Sequence, residues 1–175
     1  MTALTPNITG HQNLSEFASR FVDVEALAWQ PSKFDGVEFK TLLIDPDTGI
    51  LTALVRMAPG AVLPDHEHVE IEQSYILSGR LVDEDGEVTS GNFVWRPSGS
   101  RHSAHAPDGA LILAIFLKPN RFYNSDGSQT DMLGRDYDKE WLKVFVDSLV
   151  QQHRQHLLPV FACHELIATL AQQVK

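Results

Sequence analysis

GAVLPDHEHVEIEQSYILSG, residues 60–79, is the stretch on which the reading of this 175-residue chain turns. Within it His66, His68 and Glu72 stand at i, i+2 and i+6. Read as one extended strand, even spacing puts all three side chains on one face, because strand side chains alternate. A β-sandwich fills that face with Val, Leu or Ile, since polar groups buried without partners are costly. A divalent metal removes the cost, because neutral imidazole and carboxylate are both good ligands.

Strand grammar extends outward on both sides. Upstream, VEFKTLLI (residues 37–44) reads as a strand, DPDTG (45–49) as a turn, and ILTALVRM (50–57) as the antiparallel partner. Downstream come Arg80-Leu81-Val82, a hairpin turn at Asp83–Gly86, Phe93-Val94-Trp95 and a turn at Pro97-Ser98-Gly99. Arg101–His105 follows, and then ALILAIFL (110–117), whose apolar run suits burial on both faces. Short strands separated by Gly/Pro turns indicate an antiparallel sandwich or barrel.

The flanks differ from this middle. Residues 1–28 are weakly periodic, with a helical turn or two expected over Leu14–Phe21 and Asn13 as its cap. After Pro119, residues 120–135 read as a long connection. Asp138–His156 carries Trp141, Leu142, Phe145, Leu149 and Val150 at helical period, and His164–Val174 reads as a second, shorter helix. The expected organisation is an N-terminal segment (1–28), a β-barrel (29–119), and a connection with a C-terminal helical extension (120–175).

A net charge of −9 argues against binding a nucleic-acid backbone or an anionic membrane surface. One cysteine, Cys163, excludes a disulfide framework. Neither a basic-then-apolar leader nor an apolar run of membrane-spanning length is read, so a cytoplasmic location is expected.

A second cluster, GNFVWRPSGSRH (91–102), supplies Gly91, Pro97, Gly99 and His102. Gly60, His66, His68, Glu72 and Gly79 followed by this cluster resemble the paired motifs of the cupins. Ala106 departs from the second motif, where the family often has Asn. The resemblance spans roughly residues 37–117. It implies an all-β double-stranded β-helix (a jelly roll), to which the C-terminal helices are appended. It also implies one divalent metal ion per chain, bound by residues matching His66, His68, Glu72 and His102. Such N and O donors suit Fe²⁺, the favoured ion, as well as Zn²⁺, Mn²⁺, Ni²⁺ or Cu²⁺. Six-coordination would leave two cis positions open, whereas a tetrahedral zinc with four protein ligands would be closed.

Other residues near the motifs get plainer readings. Odd spacing from His102 turns His105 to the opposite face, and Tyr75, Phe93 and Trp95 are expected in the core. Arg101 flanks the second motif. Glu67, Glu70, His11, His153, His156 and His164 read as solvated, with Glu70 a candidate for the rim of the site. No catalytic acid/base pair stands out; Glu70 and His105 are the nearest candidates.

The runs WQP (29–31), GVEFKTL (36–42), DPDTG (45–49), APG (58–60) and PSGSRHS (97–103) narrow the resemblance. They are similar to the cupin domain of ChrR-type anti-sigma factors and to small cupins that include acetylacetone-cleaving dioxygenases. This implies a non-haem metal-dependent dioxygenase acting on a small chelating substrate such as a β-diketone. A metal- or metabolite-sensing module without turnover and a metal-dependent isomerase or lyase are the alternatives. ChrR-type proteins grip their sigma factor with an N-terminal zinc-binding helical domain; residues 1–28 contain no cysteine, which disfavours that role. A small-molecule ligand and a homodimer are the partners the resemblance implies.

Overall fold

The computed structural model describes residues 2–142. Eleven antiparallel strands run in chain order as β1 (Gln30–Pro31), β2 (Val37–Ile44), β3 (Leu51–Met57), β4 (Ala61–Glu67), β5 (Glu72–Asp83) and β6 (Gly86–Thr89), then β7 (Phe93–Arg96), β8 (Arg101–Ala106), β9 (Ala110–Phe116), β10 (Arg121–Tyr123) and β11 (Gln129–Thr130). One side is built from β1, β2, β3, β9, the first half of β5, and β7. The other contains β6 on the second half of β5, and β8, β4, β10 and β11 in order. This curled double sheet is the expected jelly roll.

β5 is the hinge between the two sides. Its register against β9 shifts between Ile76 and Ser78. Gly79 follows with φ of +73°, and a Cβ there would lie 2.0 Å from the carbonyl oxygen of Gly109. Only glycine permits both the conformation and the approach.

The core follows from alternation. Val37, Phe39, Val55, Met57, Leu63, Ile76, Ile112 and Phe116 point inward and are buried. β9 lies between β3 and β5, and its alternate residues Ala110, Ile112, Ala114 and Phe116 are buried while Leu111, Leu113 and Ile115 are half-covered. It is thus buried fully on one face rather than on both.

The N-terminal segment touches β2 through Leu4, Thr5 and Val24. Leu4 bridges to Ile44, the Thr5 hydroxyl donates to the Leu42 carbonyl, and the buried Lys40 ammonium donates to the Val24 carbonyl at 2.8 Å.

Several expectations need correction. Residues 60–79 are two strands: His66 lies on β4, His68 in the connection, and Glu72 at the start of β5. The cause is local, because His68 exchanges backbone hydrogen bonds with the turn at 97–100: its N–H donates to Ser100 (2.9 Å), and its carbonyl accepts from Gly99 (2.7 Å). No helix forms over Leu14–Phe21; a 3₁₀ turn occupies Thr9–Asn13, and Phe17 and Phe21 are 91% and 87% exposed, left uncovered by the other described residues. Residues 120–135 contain β10 and β11 rather than only a connection. A π-helical turn at Asp138–Leu142 begins the first expected C-terminal helix, the remainder of which, with the second helix and Cys163, lies outside the described residues. No helix among the described residues is long and apolar enough to cross a membrane.

Candidate metal centre

The two motifs meet because β4 pairs with β8, setting His66 directly opposite His102. His68 follows one residue past the end of β4, held by the turn that precedes β8. The three imidazoles each have a ring nitrogen within 4.8 Å of the others' and are all buried. Their ring centroids are 4.7 to 5.0 Å apart.

The hydrogen bonds dictate which nitrogen of each ring carries the proton. His66 Nδ1–H donates to the Pro64 carbonyl at 2.8 Å, which can only accept. His68 Nδ1–H donates to the Ser100 hydroxyl at 3.0 Å, whose own proton goes to the Pro97 carbonyl. His102 Nδ1–H donates to Asp83 Oδ2 at 2.9 Å. Each Nε2 is left unprotonated, the state a metal requires, although the lone pair of His102 accepts from Arg96. Anchoring of the opposite N–H is also how metal-binding histidines are oriented.

His68 Nε2 is buried without a hydrogen-bond partner, yet it sits 3.3 Å from Glu72 Oε2. A lone pair facing a carboxylate oxygen needs a cation to compensate. A proton on His68 would serve this one pair, whereas a divalent ion would serve all three imidazoles at once. The residues therefore fit a metal: the three-histidine cluster could hold one ion. Glu72 is itself positioned, accepting from the Asn120 amide at 2.6 Å and the Ser74 hydroxyl at 3.0 Å.

The electrostatics agree. Burial pushes the His66 imidazole down to about 4, against the opposing pull of Glu72, so it is neutral at neutral pH. Burial would raise the Glu72 carboxyl, but the neighbouring His68 and His66 imidazoles and the hydrogen bond from the Asn120 amide outweigh it and hold it at about 2. Burial and the adjacent Arg96 charge lower His102, with Asp83 opposing.

The cluster opens onto a cavity of about 30 Å³ between the sheets, with Arg96, His102, Glu72 and Asn120 among its lining residues. β7 aims Arg96 inward, where Nε donates to His102 Nε2 at 3.1 Å and an NH2 donates to Asp83 Oδ2 at 2.5 Å. Sequence reasoning did not single out Asp83, Arg96 or Asn120. Asp83 read as part of a turn, and Asn120 follows a proline. Arg96 had a signal, since alternation puts it on the face opposite Trp95.

The remaining candidates lie elsewhere. His105 is exposed, on the face opposite His102. Glu70 is absent from the cavity lining and stands near Lys118. Glu67 is tied rather than solvated, accepting from the Tyr123 hydroxyl and pairing with Arg121 at 3.5 Å. Arg101 pairs with Asp65 and lies over the Tyr123 ring. His11 bonds the Phe21 carbonyl at 3.0 Å, and His153, His156 and His164 lie outside the described residues. Tyr75, Phe93 and Trp95 are 42%, 53% and 57% exposed, not in the core, because Glu72, Ser74, Val94 and Arg96 take the inward positions of β5 and β7.

A family model described as the ChrR cupin-like domain matches residues 18–121. The chain belongs to that family. Among curated proteins, this ChrR-like cupin is 29% identical over 140 residues to oxalate decarboxylase OxdC of Bacillus subtilis (strain 168). That match covers 74% of this chain and 36% of the decarboxylase, so the chain spans about a third of its relative. Among solved structures, an acetylacetone dioxygenase from Acinetobacter johnsonii superposes with a TM-score of 0.59 at 19% identity, covering 75% of this chain and 97% of that one. A protein described as a putative acetylacetone dioxygenase, from Methylibium petroleiphilum PM1, gives 0.60 at 22% identity, covering 73% and 97%. At these identities the two structures demonstrate a shared fold.

Proposed function

We propose that this cupin is a non-haem metal-dependent enzyme of dioxygenase type, acting on a small chelating organic substrate such as a β-diketone. The observation that carries the reading is the set of three buried imidazoles whose Nε2 lone pairs converge while every Nδ1–H is anchored. His66, His68 and His102 are its proposed ligands, with Glu72 as the fourth. Fe²⁺ is the ion favoured; Zn²⁺, Mn²⁺ and Ni²⁺ suit the same donors.

Iron(II) at such a site supplies Lewis acidity toward chelating oxygens and electrons toward O₂. The chain's own residues do the rest. Pro64, Ser100 and Asp83 fix the imidazole tautomers. Asn120 and Ser74 hold Glu72 in place. Leu63, Leu81, Ile112 and Phe116 keep the cavity wall apolar, which excludes water from the reacting group. The test is anaerobic reconstitution with Fe²⁺, addition of β-diketones and measurement of O₂ uptake. Uptake dependent on both iron and diketone is expected, and its absence across a broad panel would sink the reading.

A second reading is favoured by the family itself: a ChrR-like sensor that binds metal or metabolite without turnover. Tight zinc with no exchangeable coordination position would select it. The likeness to a decarboxylase supports the lyase alternative, which predicts metal-dependent turnover without O₂.

A further inference from the structure

We propose that Arg96 recognises a carboxylate, so that the cavity selects a small chelating carboxylic acid, such as an oxo acid or dicarboxylate, over a neutral diketone. This rests on the reading of the three histidines as a metal centre.

A buried guanidinium is costly unless it is paired and hydrogen-bonded. Arg96 has a side chain only 13% exposed, and among the described residues its side chain makes two hydrogen bonds, to Asp83 and to His102 Nε2. The second uses the same lone pair that metal binding requires. Once that lone pair is committed to an ion, the Nε–H has no acceptor, while the bond to Asp83 can persist. Guanidinium carries five N–H donors in a rigid fork, so Arg96 then offers Nε–H and an adjacent NH group toward the cavity. That pair matches the two oxygens of a carboxylate.

Two further observations bear on the occupant, and the charge balance is the one that favours a carboxylate. Asn120 is 5% exposed and spends its amide N–H on Glu72, leaving its Oδ1 buried without a partner on the cavity wall. An acceptor there suits an enol or hydroxyl proton on the occupant. Charge complementarity is the second. With neutral imidazoles, a divalent ion and Arg96 outweigh Glu72 and Asp83 by one positive charge. An oxo-acid monoanion balances this as it enters, whereas a neutral diketone must first lose a proton.

The experiment compares acetoacetate with 2,4-pentanedione, which share a 1,3-dioxygen chelating unit and differ in the carboxylate. The full chain is loaded with Ni²⁺, for which six-coordination leaves positions open, its stoichiometry is checked by elemental analysis, and binding is measured calorimetrically without turnover. Acetoacetate is expected to bind wild type at least tenfold more tightly. R96Q should lose at least tenfold for acetoacetate and less than threefold for pentanedione, with R96K recovering part of the loss. Equal affinities on wild type, a comparison that needs no variant, would overturn the proposal while leaving the metal centre intact. So would a well-folded R96Q that weakens both ligands alike. Failure of wild type to take up one Ni²⁺ per chain would instead remove the reading beneath it.

Discussion

An imidazole has one N–H to place and one lone pair to offer, and placing the first directs the second. Asp83 does this for His102 while also accepting from Arg96, so one carboxylate orients both a proposed ligand and the cation beside it. Replacing Asp83 with Asn removes the charge and keeps the size. D83N is expected to weaken metal binding by about 10- to 100-fold, as loss of such supporting hydrogen bonds typically does, measured by competition with a chromophoric chelator. The metal-free protein should also lose stability in acid. His66, held at about 4, stays neutral while the unfolded chain protonates near 6.5, so stability falls as pH drops through that window, by up to about 3 kcal/mol. Glu72, held at about 2, adds a further loss below pH 4.5. Urea melts between pH 7 and 4 should show a falling midpoint, and a flat profile would contradict the His66 assignment. That His66, His68 and His102 come together was legible from the paired motifs. Asp83, Arg96 and Asn120 were not, because alternation says which way a side chain faces but not what the opposite sheet brings to meet it.

At the scale of the element, β5 carries the architecture. Strand β2 was legible to the residue, since Val37–Ile44 is bounded by turn chemistry on its C-terminal side. The stretch 60–79 was legible in composition but not in path: its side-chain parity says nothing of the hydrogen bonds that His68 makes to the turn before β8. Gly79 is where that path is most constrained. Gly79→Ala is expected to destabilise the fold by about 2 kcal/mol or more, since strain and collision with backbone add. Thermal melts test this. Gly60→Ala, where a Cβ meets nothing within 4 Å, should cost less and separates collision from backbone strain.

The molecule as a whole presents an apolar surface that its own described residues do not cover. Tyr75 pairs with Phe93 and Leu113 across the outer face of β5, β7 and β9, with Trp95 opposite Gln73 and Leu77 further along. Contiguous exposed aromatics on a sheet face mark an interaction site, and a second copy of the chain is the occupant expected here. The double variant Phe93→Ser/Trp95→Ser should shift the sedimentation coefficient from dimer to monomer while preserving metal uptake. A monomeric wild type would remove the expectation. This surface was misread as core because the aromatic content of a strand does not reveal which face is inward until the polar site residues claim it.

β10 closes the other side of the site. Phe122 stacks on His66 with ring centroids 4.9 Å apart, and Asn120, just before the strand, grips Glu72. The barrel therefore has a natural sequence boundary near Pro119 but no natural energetic one. A fragment trimmed there would retain all three imidazoles and lose both the ring that roofs one of them and the amide that steadies the carboxylate. Dissection of this protein into an autonomous module has to keep the chain through Tyr123.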